Sequence, residues 1–321
     1  MKKLILALIG VWFLLVPCSS EAQKVYRIGG LSSGDQFLPS LEGFRSRMKE
    51  LGYIDGKNVH YDFHNSKGDP ELLKTLAQNI VHGKPDVIVT SSSTATAPLA
   101  KATEGRNIPV VFLSAGNPLK FVKSYARPGN NITGISNATM ELIEKRFELL
   151  KELDPSVKRV AALNNPKGIN YQENATSTRE AAKRLGLTLL EVEVTSREEI
   201  AKVLPNLTRN KVDAIAALAD TLITSGIEMI VDHSIKERLP VIPMILANVN
   251  KGCLATYAAD YFALGQQGAV MVDKILKGSK PADLPVEQPY KLKLIINLKT
   301  AKAIGLKISR EMLLRADEVI E

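Results

Sequence analysis

The pattern of apolar and polar residues from Gln23 onward alternates between short apolar runs and longer amphipathic stretches. Apolar runs of about four to eight residues predict buried strands, and apolar residues three and four positions apart predict helices. Over 39–51, for example, Leu41, Phe44 and Met48 fall on one helical face. In the first half of the chain this pattern predicts strand 24–31, helix 39–51, strand 58–63, helix 70–82, strand 86–90, helix 95–103 and strand 108–113.

The same alternation resumes after a glycine-containing loop at 127–134, which we interpret as a crossing between two parts of the chain. The predicted elements that follow are helix 142–153, strand 159–163, helix 175–185, strand 188–194, helix 200–207, strand 214–219, helix 223–237 and strand 240–245. Strands that alternate with covering helices predict a parallel sheet with both faces buried. The chain therefore predicts an α/β fold of two doubly wound parallel-sheet lobes.

The tail departs from this alternation. It predicts a strand at 252–257, a helix at 261–276 and a strand at 292–298, which we interpret as returning to the first lobe and then crossing back to the second. Several crossings form a hinge, and a hinge between two α/β lobes creates a ligand cleft. We expect the first lobe to comprise 23–136 and 257–286, and the second lobe to comprise 137–256 and 287–321.

The N-terminal residues have the composition of an export signal. Two lysines precede an apolar run over 4–16, which is too short to span a bilayer and matches the apolar region of a signal peptide. Small residues predict cleavage after Ala22, so that 1–22 is the signal peptide. The sequence at 15–18 also resembles a lipobox, which leaves lipidation of Cys18 as the alternative. Both readings place the protein in the periplasm or another extracytoplasmic space.

Composition narrows the class of function without selecting one. The chain has 321 residues, of which 45% are hydrophobic, so there is enough apolar material for two cores. The formal net charge is +8, but the basic residues are mixed with acidic ones along helices, as in 141–146. That mixture is typical of a solvated helix face and not of a nucleic-acid-binding arm. Cys253 is the single cysteine after the signal region, which leaves no disulfide within the exported chain.

The sequence lacks the motifs that carry common catalytic chemistry. The glycines at 29–34 do not have dinucleotide-loop spacing, and P-loop and nucleophile-elbow patterns are absent. His60 and His64 are four residues apart, but they lie around a predicted strand, where that spacing does not form a helical pair of metal ligands. Without a nucleophile and a base, we expect no enzyme activity, no metal and no cofactor.

A set of short stretches distributed over the chain carries a family pattern. These are 52–58 (GYIDGKN), 85–89 (PDVIV), 108–112 (IPVVF), Asn117-Pro118, 127–134 (RPGNNITG), 275–289, 296–305 and 315–321. Through them the sequence resembles the ABC transporter substrate-binding family that includes tryptophan- and tyrosine-binding receptors. The resemblance implies the type I periplasmic-binding-protein fold, a small-molecule ligand, and an ABC permease of the inner membrane as partner. We expect a monomer that binds no nucleic acid.

Polar residues at predicted strand ends are the candidate ligand-binding residues of the first lobe. In open α/β sheets, ligands bind outside the carboxyl ends of the strands, where loops lead into helices. The run at 90–96 offers hydroxyls and free N–H groups to an anion such as a carboxylate; helix capping is the alternative role. The first-lobe candidates are Ser32, Ser33, Phe37, Thr90, Ser92, Ser93, Thr94 and Asn117.

The second lobe contributes a candidate carboxylate. By resemblance, Asp220 corresponds to an aspartate that faces the cleft, where it suits a ligand ammonium; helix capping is again the alternative. Asn117 stands where relatives often have aspartate, and its amide can form hydrogen bonds but supplies no charge. The remaining candidates are Asn165, Tyr171, Met244 and Tyr257.

Together these features predict an extracytoplasmic solute-binding receptor of an ABC importer. The expected ligand is an amino acid or a related small carboxylate, with aromatic amino acids first, an assignment that follows from the resemblance. A receptor that closes in the same way for a membrane sensor kinase remains an alternative, as does an enzyme of the sugar-isomerase or hydrolase type on similar lobes. A transcriptional repressor is excluded by the signal segment and by the lack of an N-terminal helix-turn-helix.

Overall fold

The computed structural model describes residues 24–321; the predicted signal peptide and the lipidation alternative at Cys18 lie outside the described residues. The strands are β1 Tyr26–Ser32, β2 Val59–Asn65, β3 Val87–Thr90, β4 Val110–Ala115, β5 Ile132–Ser136, β6 Arg159–Asn164, β7 Thr188–Glu193, β8 Ala214–Ala217, β9 Val241–Pro243, β10 Ala255–Ala259, β11 Leu292–Asn297 and β12 Glu318–Ile320. The helices are α1 Leu38–Glu50, α2 Pro70–His82, α3 Ser93–Ala102, α4 Ile143–Leu153, α5 Tyr171–Arg184, α6 Arg197–Val203, α7 Thr221–Ser225, α8 Ile227–Glu237, α9 Ala247–Asn250, α10 Tyr261–Leu276, α11 Leu298–Ala303 and α12 Arg310–Arg315.

The strands form two parallel sheets and a smaller mixed sheet. The first sheet has the order β2-β1-β3-β4-β5, and the second has the order β7-β6-β8-β9. In the third sheet, β11 lies between an antiparallel β10 and a parallel β12. The strand order reverses between β1 and β3 in the first sheet and between β6 and β8 in the second, which is the position where open α/β sheets bind ligands. The predicted α/β fold with two doubly wound sheets is confirmed.

Each parallel sheet is covered on both faces by helices. Apolar clusters around Phe44 and around Phe112 cover the two faces of the first sheet, and clusters around Phe147 and Ile230 do the same for the second. Strands β3, β4, β5, β8 and β9 are buried throughout because they lie between two helical layers, whereas the edge strands β2 and β7 are partly exposed. We call the first sheet with α1, α2, α3 and α10 the first body. The second and third sheets with the remaining helices are the second body.

Helices α1 and α10 cross at very short range because each has a glycine at the contact. A Cβ atom on Gly43 would lie 2.0 Å from the Phe262 carbonyl oxygen, and a Cβ atom on Gly265 would lie 1.9 Å from the Ser40 carbonyl oxygen. Only glycine fits at such positions. This contact fixes α10 to the first body, although β10, the strand before it, belongs to the third sheet.

The chain therefore passes between the two bodies several times, as the tail predicted. It leaves the first body after β5, returns between β10 and α10, and leaves again before β11. Before this last passage the Glu287 carbonyl accepts a hydrogen bond of 2.8 Å from the Ser136 N–H, beside β5. The exact lobe boundaries stay a prediction.

Several predicted elements are wrong in detail. The loop at 127–134 is not simply a crossing, because Ile132–Ser136 forms the edge strand of the first sheet. The single helix predicted at 223–237 is two helices, interrupted at Gly226. The sequence pattern also missed α11, α12 and β12, which are too short to show a period.

Cys253 is completely buried in the core of the second body, and burial raises the pKa of its thiol.

Within residues 24–321, no helix has the length and apolar character needed to cross a bilayer.

Candidate functional site

The carboxyl ends of the two parallel sheets face a common cavity. It has a volume of about 30 Å³, which is room for about two water molecules. Both bodies contribute to its lining, which consists of Phe37, Ser92, Ser93, Thr94, Ser114, Gly116, Asn137, Thr139, Asn170, Ala219, Asp220, Thr221, Ile245 and Tyr261. Polar side chains therefore meet at the position where the fold is expected to bind a ligand.

The first body contributes the N-terminus of α3. The Ser92 hydroxyl caps this helix by accepting a hydrogen bond of 3.0 Å from the Ala95 N–H, and it lies 2.8 Å from the Ser33 hydroxyl. The Ser93 hydroxyl accepts a hydrogen bond of 2.9 Å from the Gly116 N–H. Ser92 thus has the capping role that was the alternative for this run. The same residues still place a helix N-terminus and its partial positive charge at the cavity.

The second body contributes a carboxylate at the end of β8. Asp220 caps α7, since its Oδ1 accepts hydrogen bonds of 2.8 Å from the Leu222 N–H and 3.1 Å from the Asn165 side-chain amide. Burial raises the pKa of the Asp220 carboxyl above its ordinary value, and no cation pairs with it among the described residues. Gly168 leaves room for the second oxygen, because a Cβ there would lie 2.4 Å from Oδ2.

Two aromatic rings and an amide complete the wall. The rings of Phe37 and Tyr261 have centroids 5.6 Å apart and are tilted by 36°. Burial raises the pKa of Tyr261 to about 12, so its hydroxyl stays protonated at neutral pH. The Asn170 side chain is 9% exposed, and its Oδ1 has no hydrogen-bond partner among the described residues. The cavity therefore offers a hydroxyl and a free acceptor beside an aromatic surface.

A buried cation lies directly behind this wall. Arg146 on α4 has no exposed surface, and its guanidinium donates to three backbone carbonyls: 2.9 Å to Tyr257, 2.8 Å to Thr139 and 3.3 Å to Met244. Burial lowers the pKa of Arg146 to about 10, which keeps it charged at neutral pH. The Thr139 carbonyl oxygen links Arg146 to a cavity-lining residue. The sequence assigned 141–146 to a solvated helix face, and for Arg146 this is wrong.

Outside the small cavity, the two bodies touch again. Lys120 Nζ of the first body lies 2.8 Å from Glu173 Oε1 on α5 of the second body. Beside this ion pair is a wider cavity of about 560 Å³, whose lining shares Gly116 with the small cavity. The ion pair therefore spans the opening between the bodies next to the candidate site.

Comparison with known proteins agrees with this geometry. The sequence pattern of the family described as ABC transporter substrate binding protein matches residues 28–320. The chain belongs to this family. The fold that the resemblance implied, that of type I periplasmic binding proteins, is confirmed.

Three similar family proteins have informative descriptions. The tyrosine-binding protein of Clostridioides difficile is 27% identical over 290 residues, which cover 90% of this chain and 83% of that protein. An ABC domain in complex with L-Trp from Streptococcus pneumonia is 32% identical and has a TM-score of 0.85, covering 92% and 100%. A ligand-free, open substrate binding protein with adhesive properties from Clostridium difficile is 25% identical with a TM-score of 0.71, covering 92% and 99%.

Five of the predicted ligand-binding residues line the cavity of this substrate-binding protein: Phe37, Ser92, Ser93, Thr94 and Asp220. Two more contact these residues from behind, since Ser33 lies against Ser92 and Asn165 donates to Asp220. Ligand contact by these residues stays a prediction.

The first-body candidates Ser32, Thr90 and Asn117 lie outside the cavity. The Ser32 hydroxyl donates a hydrogen bond of 2.8 Å to the Gly34 carbonyl. The Thr90 and Thr96 hydroxyls form a hydrogen bond of 2.7 Å with each other. Asn117 accepts a hydrogen bond of 3.2 Å from the backbone N–H two residues later and lines the wider cavity instead. All three hydroxyl and amide groups are engaged in local turn or helix hydrogen bonds.

The second-body candidates Tyr171, Met244 and Tyr257 also lie outside the cavity. The Tyr171 hydroxyl donates to the Glu193 carboxylate away from the site. Both Met244 and Tyr257 accept hydrogen bonds from Arg146, Tyr257 through its carbonyl and Met244 through its carbonyl and its sulfur. Sequence reasoning missed several lining residues, among them Asn137, Thr139, Asn170 and Tyr261, although Tyr261 opens a correctly predicted helix.

Proposed function

We propose that this protein is an extracytoplasmic receptor that captures an amino acid between its two bodies and delivers it to an ABC permease. Aromatic amino acids are the first candidates. The observation that carries the proposal is the cavity itself, where Asp220 of one body faces the α3 N-terminus of the other. A free amino acid has the two charges that such a site can bind, an ammonium for the carboxylate and a carboxylate for the helix N-terminus.

The state of Asp220 supports an ammonium-bearing ligand. Its carboxylate is largely buried, and the described residues supply two neutral donors but no cation. A buried carboxylate without a cation is unfavourable, and a ligand ammonium relieves that cost. The free Oδ1 of Asn170 is a second acceptor at the same cavity. A sugar would satisfy these acceptors with hydroxyls but would leave the charge uncompensated.

The aromatic preference rests on the wall and on the relatives. Phe37 and Tyr261 present ring surface to the cavity, which suits a flat apolar side chain. Similar proteins are described as tyrosine-binding and as bound to L-Trp. The absence of an aspartate at 117 does not weaken this proposal, because Asn117 does not line the small cavity.

Ligand capture requires the two bodies to separate and close again. A cavity with room for about two water molecules is too small for an aromatic amino acid, so the ligand enters a more open form and the closed form adapts around it. The TM-score is 0.85 to the L-Trp complex but 0.71 to the ligand-free, open protein, which supports the view that this conformation is near the closed one.

Delivery to a permease and an extracytoplasmic location follow from the family and from the predicted signal peptide. The family is that of ABC transporter substrate binding proteins. The predicted cleavage after Ala22 would release the two-body protein into the periplasm or the cell surface space. A lipid anchor at Cys18 would instead hold it on the membrane near the permease.

The test is a thermal-shift and calorimetric screen of the protein comprising 23–321 against amino acids, small carboxylates, nucleosides and sugars. A ligand at a hundredfold excess over its Kd should add about 2.7 kcal/mol to the free energy of unfolding. For bodies of this size the midpoint of unfolding should rise by roughly 5–10 °C. A rise with L-tryptophan or L-tyrosine supports the proposal. A rise with uncharged sugars or nucleosides alone contradicts it.

A further inference from the structure

We infer that Arg146 is a specificity-determining residue: its buried positive charge makes the receptor prefer ligands with a negatively charged group over their neutral analogues. The inference rests on the proposed function, because it concerns which end of a captured amino acid is recognised. Arg146 does not touch the cavity. It acts through the residues in front of it, and its effect is therefore electrostatic.

The first step is that the charge of Arg146 is not neutralised. Among the described residues, Arg146 and Asp273 are the charged residues with less than a tenth of their surface exposed. Asp273 has a partner, since Lys277 Nζ lies 2.8 Å from its carboxylate and the Tyr53 hydroxyl donates to it at 2.9 Å. Within residues 24–321, no carboxylate contacts Arg146, and Glu141 attracts it only from a distance.

The second step is that carbonyl contacts do not remove the cost of this charge. The three carbonyl oxygens that accept from the guanidinium satisfy its hydrogen bonds but are neutral groups. Burying an ion without a counter-ion is unfavourable even when its hydrogen bonds are made. A negative charge that arrives near the guanidinium would relieve this cost.

The third step is that the cavity lies within one residue layer of the guanidinium. Thr139 lines the cavity and its carbonyl bonds to Nη1; Met244 accepts from Nη2 and is followed directly by the lining residue Ile245. The Tyr261 hydroxyl, also at the cavity, is close enough for Arg146 to lower its pKa against the effect of burial. Buried protein atoms have a lower effective dielectric constant than water, so they screen the field of the Arg146 charge only weakly.

The fourth step is that the same cavity meets the opposite charge without a counter-ion. Asp220 enters the cavity from the second body and is paired with no cation among the described residues. A zwitterion bound there compensates both charges at once. A ligand with an ammonium but no carboxylate compensates only Asp220, and the Arg146 charge then disfavours it.

The experiment compares L-tryptophan with L-tryptophanamide, in which a neutral carboxamide replaces the carboxylate, in calorimetric titrations of the 23–321 protein at a pH low enough to keep both α-amino groups protonated. The ratio of the two Kd values is the readout. We expect wild type to prefer the acid by tenfold or more, and Arg146→Gln to reduce that preference about tenfold. Arg146→Lys, which keeps the charge but loses the planar donor fork, should keep the preference even if both ligands bind more weakly. Arg159→Gln is the matched control, because Arg159 opens β6 at the amino end of the second sheet.

A merely structural role for Arg146 gives a different result. If the guanidinium only ties three chain segments together, Arg146→Gln weakens the acid and the amide equally and the ratio does not change, which overturns the inference. It also fails, without any variant, if wild type binds the amide as tightly as the acid. If wild type binds neither L-tryptophan nor any other amino acid, the proposed function fails first, and the two failures are thereby distinguished.

Discussion

Asp220 affects the stability of the folded protein in two opposite ways. Its oxygen caps α7, which favours the folded state, but the half-buried charge has no cation partner among the described residues. An asparagine at this position could accept the same two hydrogen bonds without the charge. Asp220 is therefore a local source of instability that the ammonium of the proposed amino-acid ligand would relieve, as is common at functional sites.

We expect Asp220→Asn to raise the stability of the ligand-free protein at pH 7 and to abolish the stabilisation by amino acids. The pKa of Asp220 is raised in the folded state, so the folded protein binds more protons than the unfolded chain above the ordinary aspartate pKa. Stability contributed by this group therefore falls as the pH rises through that range. Thermal unfolding at pH 7 and near pH 3 checks this: the advantage of the variant should vanish at the lower pH. A variant that is less stable at both pH values would contradict the argument.

Asp213 gives the opposite pH dependence. Burial alone would raise its pKa, but Arg159 at 2.8 Å and two backbone N–H donors lower the pKa to about 2. The ion pair thus stabilises the fold above the ordinary aspartate pKa and is lost as the pH falls from about 4 toward 2. Asp213→Asn should cost about 2 kcal/mol at pH 7 and much less near pH 2. Urea unfolding at both pH values measures the difference, with Asp62→Asn as control because that carboxylate is 53% exposed.

For single residues, the sequence predicts which side chains lie at the cavity more reliably when they follow a strand than when they lie within a helix. Asp220, Ser92 and Ser93 line the cavity, as expected where the carboxyl ends of parallel strands meet at one edge of a sheet. Arg146 was missed because one sequence cannot tell a solvated arginine from one that a partner element covers. Tyr257 and Met244 were predicted to contact the ligand; in the structure the Tyr257 carbonyl and both the carbonyl and the sulfur of Met244 accept hydrogen bonds from Arg146.

Among the elements, α10 is the clearest case of packing that depends on single residues. It crosses α1 at Gly265 and Gly43, where backbone approaches backbone, and passes over β4 at Gly268. A Cβ at Gly268 would lie 2.3 Å from Leu113 Cδ2, the end of a side chain that can shift. The three glycines therefore differ in how firmly their surroundings exclude a methyl group.

We expect Gly265→Ala to destabilise the protein by about 1–3 kcal/mol, the usual cost of overpacking. Helix propensity alone would favour alanine by up to about 1 kcal/mol, so a loss measures the crowding at the Ser40 carbonyl. Gly268→Ala should cost less, since a side chain can move where a backbone carbonyl cannot. Chemical denaturation of the two variants gives the comparison. Equal stability of Gly265→Ala and wild type would mean that α1 and α10 move apart enough to admit the methyl group at no net cost in free energy.

The elements were predictable where periodicity was long and failed where glycine was ambiguous. Helices α2 and α10 were predicted with the bounds that the structure has, because their apolar faces and caps agree. Strand β5 was assigned to a loop because of its glycine. Position 134 requires glycine because a Cβ there would lie 2.0 Å from the Phe112 carbonyl oxygen. This constraint arises from the pairing of β4 with β5 and cannot be read from the sequence alone.

For the molecule as a whole, the ion pair between Lys120 and Glu173 bears on the balance of open and closed forms. The two residues belong to different bodies and lie beside the wider cavity. Separation of the bodies must break this pair. The larger the fraction of ligand-free protein in the open form, the more free energy of binding is spent on closure. A contact made only in the closed form therefore raises the affinity although it does not touch the ligand.

We expect Lys120→Met to weaken amino-acid binding by up to about fivefold, because a half-exposed pair is worth at most about 1 kcal/mol. The change should lie in faster release, and X-ray scattering of the ligand-free protein should indicate a larger radius of gyration. Lys74→Met is the matched control, since that lysine pairs with Glu71 on the same helix. Unchanged affinity and radius would mean that the pair does not respond to closure.

The buried position of Cys253 makes this receptor convenient as a sensor. The predicted exported chain has no other cysteine, and a thiol that is enclosed by the second-body core reacts slowly with maleimides. A cysteine introduced at an exposed position on each body could therefore be labelled with a donor and an acceptor dye without first removing the native thiol. Energy transfer between the dyes would then report ligand capture in real time.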